Sequence, residues 1–127
     1  MAENLPRRVL VVDDEPLMRW SIAETLKAYG HTVLEADSGA GALRALQIAS
    51  RTVDAVVLDY RLPDTNNLSL LARIRHLAPG IPVILMTAFS TPELVEDALG
   101  LGAYDVMDKP FDMREMEHVV TRACERA

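Results

Sequence analysis

The chain reads as an α/β domain, a parallel five-stranded sheet with helices on both faces. Short apolar, β-branched runs recur, as in Val9–Val12, Val53–Leu58 and Ile81–Met86. Such runs read as strands buried on both faces. The stretches between them carry apolar residues at helical spacing, and no long loop, linker or repeat interrupts the rhythm. Five strands alternating with five helices build right-handed βαβ units. The flavodoxin-like order 2-1-3-4-5 is expected from knowledge of such folds; periodicity alone does not set it.

Arg7–Val12 is the first strand, and it ends on Asp13-Asp14-Glu15. Pro16 suits the first helical turn, where its missing N–H costs nothing, and Asp14 or a neighbour is placed to cap that turn. The helix spans 16–29, with Met18, Ile22, Leu26 and Tyr29 as its apolar stripe and Gly30 as its stop. Trp20 is expected to be partly in the core. His31–Ala36 is the second strand. Asp37 or Ser38 opens a helix to about Ser50, with Leu43, Leu46 and Ile48 among its apolar positions.

The third strand ends on Asp59, and Pro63 ensures that the chain leaves the sheet soon after. Leu68–His76 is a helix with Leu68, Leu71, Ile74 and Leu77 turned inward. The fourth strand, Ile81–Met86, ends at Thr87-Ala88. Thr91-Pro92-Glu93 opens a helix that stops near Gly100–Gly102, with Leu94, Val95, Leu99 and Leu101 expected in the core or on a partner surface. Ala103–Met107 is a short fifth strand leading to Asp108-Lys109-Pro110, and Asp112 caps the last helix.

The length fits one domain over residues 1–127, its core at about 7–124. No apolar run approaches the roughly 20 residues of a membrane span, and the first residues show no apolar leader. The net charge of −6 argues against unaided binding to nucleic acid or an anionic membrane. A lone Cys124 rules out an internal disulfide and fits a reducing cytoplasm; it reads as a packing residue. His31, His76 and His118 read as solvated or packed histidines.

The strand ends carry the chemistry. Strand 1 delivers Asp13 and Asp14, strand 3 Asp59, strand 4 Thr87 and strand 5 Lys109. In open α/β sheets this rim is where ligands bind. Three carboxylates at close range repel, so a proton or a cation must neutralise them. An all-oxygen cluster suits Mg²⁺, and the absence of nearby His or Cys argues against zinc. Lys109 supplies a point cation, Thr87 a hydroxyl, and small Ala88 an approachable backbone N–H. Such a set suits a transferring phosphoryl group, with Asp59 as the attacking nucleophile. Singly, each residue reads equally well as a cap, a strand end or a solvated charge; their convergence favours the site.

The set Asp13-Asp14, Asp59, Thr87 and Lys109-Pro110 resembles that of receiver domains of two-component response regulators. The resemblance covers about Arg7 to Cys124. It implies Asp59 as phosphoacceptor, Asp14 as direct Mg²⁺ ligand and Asp13 as a ligand acting through water. It further implies the Arg61 backbone carbonyl as third protein ligand, Thr87 as switch hydroxyl, and Lys109 as the family's cation before a cis bond to Pro110. The donor it implies is a phosphohistidine on a sensor kinase, and the output a change in the helix 4–strand 5–helix 5 face, often dimerisation. On this reading the chain accepts a phosphoryl group and is not a turnover enzyme.

Asp14-Glu15-Pro16-Leu17-Met18-Arg19-Trp20-Ser21, Met86-Thr87-Ala88-Phe89 and Gly102-Ala103-Tyr104-Asp105 resemble NtrC-type receivers in particular. These imply an AAA+ ATPase and a DNA-binding output domain acting at σ54-dependent promoters, neither of which lies within this chain. Two positions depart from the family pattern. Val106 stands where a switch aromatic is usual, and Tyr104, two residues earlier on the same predicted strand face, is expected to take part of its role. Asn67 replaces a usual Gly, and Asn tolerates left-handed backbone. The weighed alternatives are a degenerate receiver acting only as an interaction module, a haloacid-dehalogenase-type phosphatase and a nucleotide-binding domain. The phosphatase would want an acid at Arg61. The nucleotide-binding domain would want a Gly-rich loop in place of Asp13-Asp14-Glu15-Pro16.

Overall fold

The computed structural model describes residues 5–49, 52–65 and 68–125. Strands and helices alternate throughout: β1 (Arg8–Val12), α1 (Pro16–Ala28), β2 (Thr32–Ala36), α2 (Gly39–Ala49), β3 (Ala55–Asp59), α3 (Ser69–Leu77), β4 (Val83–Thr87), α4 (Pro92–Gly100), β5 (Asp105–Asp108) and α5 (Met113–Glu125). All pairings are parallel, and the order is β2-β1-β3-β4-β5, as expected. Every residue of the inner strands β3 and β4 is buried.

Side chains alternate across a strand, and the alternation divides the interior into two cores. Val9 and Val11 of β1, Ala55 and Val57 of β3, and Ile84 and Met86 of β4 pack with Ile22 and Leu26 of α1 and with Met116 and Val120 of α5. Their neighbours Leu10, Val12, Val56, Leu58, Val83 and Leu85 pack with Leu46 of α2, Ile74 of α3 and Ala98 of α4. The sheet thus has α1 and α5 on one face and α2, α3 and α4 on the other.

Helix ends follow the capping chemistry of the sequence. At α1, the N–H of Gly30 reaches the carbonyl of Lys27 and that of His31 reaches Leu26. At α4, Gly102 and Ala103 repeat the pattern onto Leu99 and Ala98. Both glycines take positive φ, +95° and +103°, the left-handed turn that closes a helix without a Cβ penalty. Thr91 and Asp112 cap α4 and α5 through their side chains. The N-cap of α1 is Glu15 and uses no side-chain bond; instead Asp13 accepts the Glu15 N–H at 2.9 Å, so Asp14 is not the cap.

Several apolar residues expected inside lie outside. Tyr29 is 46 %, Leu77 42 % and Ile48 82 % exposed, each at or near a helix end beyond its buried stripe. Trp20 is exposed, because α1 buries the Ile22–Leu26 face. Around α4 only Ala98 of the helix is buried, while Leu99 and Leu101 are exposed. Tyr104 does not share a face with Val106. It packs into the α1–α5 core, whereas Val106 packs against the other. The chain bends at Tyr104, and β5 starts only at Asp105, so strand alternation does not reach back to it. Ser50 and Asn67 lie outside the described residues.

Two contacts were not apparent in the sequence. Asp64, in the β3–α3 loop, accepts the N–H groups of Gly39 at 2.8 Å and Ala40 at 2.9 Å, and these bonds hold its carboxyl below the usual range. Buried His31 accepts the Arg7 N–H at Nδ1, so Nε2–H donates to buried Glu117, which Thr121 also contacts. Cys124 is a packing residue whose thiol burial pushes up to about 11.

Replacing Asp64 with Ala leaves the first N–H groups of α2 unpaired and is expected to cost about 1 kcal/mol. Because the Asp64 carboxyl is held low, its contribution is present at neutral pH and is lost as pH falls through its folded-state titration. Urea unfolding of both proteins across acid pH should show the difference shrinking; a constant gap would exclude a carboxylate cap.

Candidate functional site

The carboxyl ends of β1, β3, β4 and β5 meet at one rim. Strand alternation aims Asp13, Asp59 and Lys109 at the α1–α5 side, in register with Val11, Val57 and Met107. Thr87 follows Val83 and Leu85 of the opposite side. The rim opens into a cleft of about 440 Å³ lined by Asp14, Asp59, Arg61, Thr87, Ala88 and Lys109, with Tyr60, Pro63 and Phe89 in its walls. All the site residues expected from the sequence border this cleft except Asp13, which lies fully buried beneath it. The wall residues directly follow the ends of β3 and β4, a positional signal that residue type does not carry.

Oxygens of Asp13, Asp14 and Asp59 lie within 4.8 Å of one another. The Lys109 Nζ stands 3.2 Å from Asp13 Oδ2 and 3.2 Å from Asp59 Oδ1. Asp13 is fixed from two further directions. Its Oδ1 holds the Glu15 N–H, and its carbonyl accepts Arg19 Nη1 at 2.8 Å, while Arg19 Nε pairs with Glu35. Arg61 is exposed, and its backbone N–H donates to the Asp59 carboxylate. Thr87 is buried; its Oγ1 accepts the Phe89 N–H at 3.2 Å and its carbonyl accepts the Lys109 N–H at 2.8 Å. The Lys109–Pro110 peptide is cis.

Electrostatics follow from this crowding. Burial, then repulsion from Asp13, raises the Asp59 carboxyl above its ordinary value; Lys109 and the Arg61 N–H offset this only in part. Burial opposes the charge on Lys109, but Asp59 and Asp13 outweigh it and hold the ammonium above the usual lysine range. The arrangement is an excess of negative charge around one cation. It offers oxygen ligands to a hard cation and, at Lys109, a charge for an anionic oxygen.

A raised carboxyl means that the folded state binds the Asp59 proton more tightly than the unfolded chain. Its contribution to stability is therefore full below the ordinary carboxylate range and is lost as pH rises through the folded-state titration. Asp59→Asn is expected to stabilise the metal-free protein at neutral pH by about 1 kcal/mol, the low end for relieving a close like-charge pair. The gain should fade toward about pH 4. Urea midpoints in EDTA measure it; equal stability at neutral pH would mean that Lys109 neutralises the cluster fully.

Comparison with known proteins agrees with the fold. The family described as the response regulator receiver domain matches residues 9–121. NtrC of Escherichia coli K12, a DNA-binding transcriptional regulator, is 40 % identical over 115 residues, 91 % of this chain and 24 % of that protein. The chain thus spans about a quarter of the length of the curated relatives it matches first. The receiver domain of NtrX from Brucella abortus superposes with a TM-score of 0.85 at 33 % identity, covering 94 % of this chain and 99 % of that one. A chain of the CheX-CheY-BeF3-Mg²⁺ complex from Borrelia burgdorferi gives 0.87 at 25 % identity, covering 93 % of this chain and 89 % of that one. With the family matching residues 9–121 and the fold superposing over nearly the whole chain, it belongs to the response regulator receiver domain family of two-component signalling.

Proposed function

We propose that residues 1–127 form one receiver domain in which Asp59 accepts a phosphoryl group from a phosphohistidine of a sensor kinase. The observation that carries this reading is Lys109 Nζ held 3.2 Å from both Asp13 and Asp59 beside a three-carboxylate cluster. Asp59 lies at the floor of the cleft, 7 % exposed, where one oxygen can meet an incoming phosphorus in a fixed orientation. Its carboxylate oxygen forms the new O–P bond as the donor's P–N bond breaks and the imidazole nitrogen leaves with the electron pair.

The carboxylate cluster fits Mg²⁺, because its donors are all oxygen and their negative charge exceeds what Lys109 balances. Asp14 and Asp59 would hold the ion directly, Asp13 through water, and the Arg61 carbonyl would complete the protein ligands. When bound, the ion supplies charge neutralisation to phosphoryl oxygens. Lys109 binds a phosphoryl oxygen with the charge it now shares between Asp13 and Asp59. The Thr87 hydroxyl donates to another once it gives up the Phe89 N–H. That movement shifts a two-state equilibrium in the α4–β5–α5 face. Dimerisation, and AAA+ and DNA-binding output domains in a longer protein, complete the reading, as the likeness to NtrC suggests. It implies a cytoplasmic site of action and a role as substrate of the kinase in place of a turnover enzyme.

Intact mass after incubation with acetyl phosphate and Mg²⁺ tests it. The wild type should gain a single phosphoryl adduct that EDTA prevents, and Asp59→Asn should gain none. No adduct under conditions that label a control receiver would instead support an interaction module that works without phosphorylation.

A further inference from the structure

Charge is unevenly spread over the helices. The chain carries a net −6, yet α2 and α3 contain no acidic residue. Between them they hold Arg44, Arg73 and Arg75, whereas α1, α4 and α5 each include glutamate. Arg75 is occupied, since its Nη1 donates to the carbonyls of Pro79 and Ile81. Arg44 and Arg73 are exposed, and neither is in an ion pair among the described residues.

The two helices run parallel on the same side of the sheet and repeat one pattern. Each presents an exposed arginine and, one turn later, an exposed aliphatic residue: Arg44 then Ile48, 82 % exposed, and Arg73 then Leu77, 42 % exposed. A groove of about 440 Å³ lies between them, with Leu43 and Leu70 among its lining and both arginines on its walls. Asp64 closes one end, but its carboxylate is engaged by the first N–H groups of α2. Two exposed arginines with no ion-pair partner among the described residues, each followed by an exposed aliphatic tip, leave this face with an unmet complement.

We propose that this α2–α3 face docks an acidic amphipathic helix of a partner protein, its carboxylates on Arg44 and Arg73 and its apolar stripe on Leu43, Ile48 and Leu77. Charge complementarity selects the occupant. Nucleic acid would need more cations than two, set in a chain that otherwise repels it, and it leaves the apolar tips unused. A helix with Glu and Leu at three- and four-residue spacing satisfies both features of the face. The inference does not depend on phosphorylation of Asp59.

The test is an amide NMR titration of the full chain with a short, acetylated and amidated helical peptide of Glu and Leu at that spacing. Saturable shifts should be confined to α2, α3 and the Asp64 loop. Arg44→Glu with Arg73→Glu should weaken binding at least about tenfold, the scale of 1.4 kcal/mol, and added salt should weaken it in the wild type. Arg44→Gln with Arg73→Gln serves as the milder pair, with circular dichroism confirming the fold. No saturable shift, shifts mapping to other helices, or binding indifferent to both double variants would overturn the proposal. So would an oligonucleotide that displaces the peptide from the same residues, or concentration-dependent self-association abolished by those variants.

Discussion

The site depends on one ammonium group shared by two carboxylates. Without Lys109 between them, fully buried Asp13 and nearly buried Asp59 would face each other as uncompensated charges, a costly arrangement in a desolvated rim. With it, the negative charge is only partly balanced, which is why the Asp59 carboxyl stays above its ordinary range. The rim is thus folded around an electrostatic deficit that a second cation would remove. Three strands, β1, β3 and β5, must be parallel and in register for this to occur, because each contributes one member of the triad from its carboxyl end.

Much of this was legible in the chain itself. The apolar runs of β1, β3 and β4 are uninterrupted because both faces are buried, so composition alone identifies them. The residues that end those runs are the rim residues, and topology then brings them together. What escaped was governed by details that periodicity does not carry. Ile48, Leu77 and Tyr29 fall near the predicted stripes, yet each stands near a helix end, where the chain is leaving the sheet. Trp20 sits on the solvent side of α1 despite its size. Tyr104 is itself the bent residue immediately before β5, and that bend sends it into the opposite core from Val106. Asp64 bonds to groups 24 and 25 residues away, a long-range contact with no local signature.

The helix ends show the same division between local and distant causes. Gly30 and Gly102 close α1 and α4 by similar geometry, and both are readable as glycines after an apolar periodic stretch. Gly102 carries a second constraint: a Cβ there would stand 2.6 Å from Nε of Arg75, whose guanidinium is held by the Pro79 and Ile81 carbonyls of the α3–β4 loop. One glycine therefore serves both backbone conformation and the approach of a neighbouring loop.

The sheet is also a partition. The two cores share no residue, and each apolar side chain of β1, β3 and β4 belongs to one or the other. The interior behind α1 and α5 can accordingly be repacked without retuning the interior behind α2, α3 and α4, since substitutions that share no neighbours combine additively. The two interiors meet at the rim, where Asp59 and Lys109 extend the rows of one and Thr87 the row of the other. The chemistry of this domain thus sits on the seam between two independently variable halves, and sequence drift in either half can leave the seam intact.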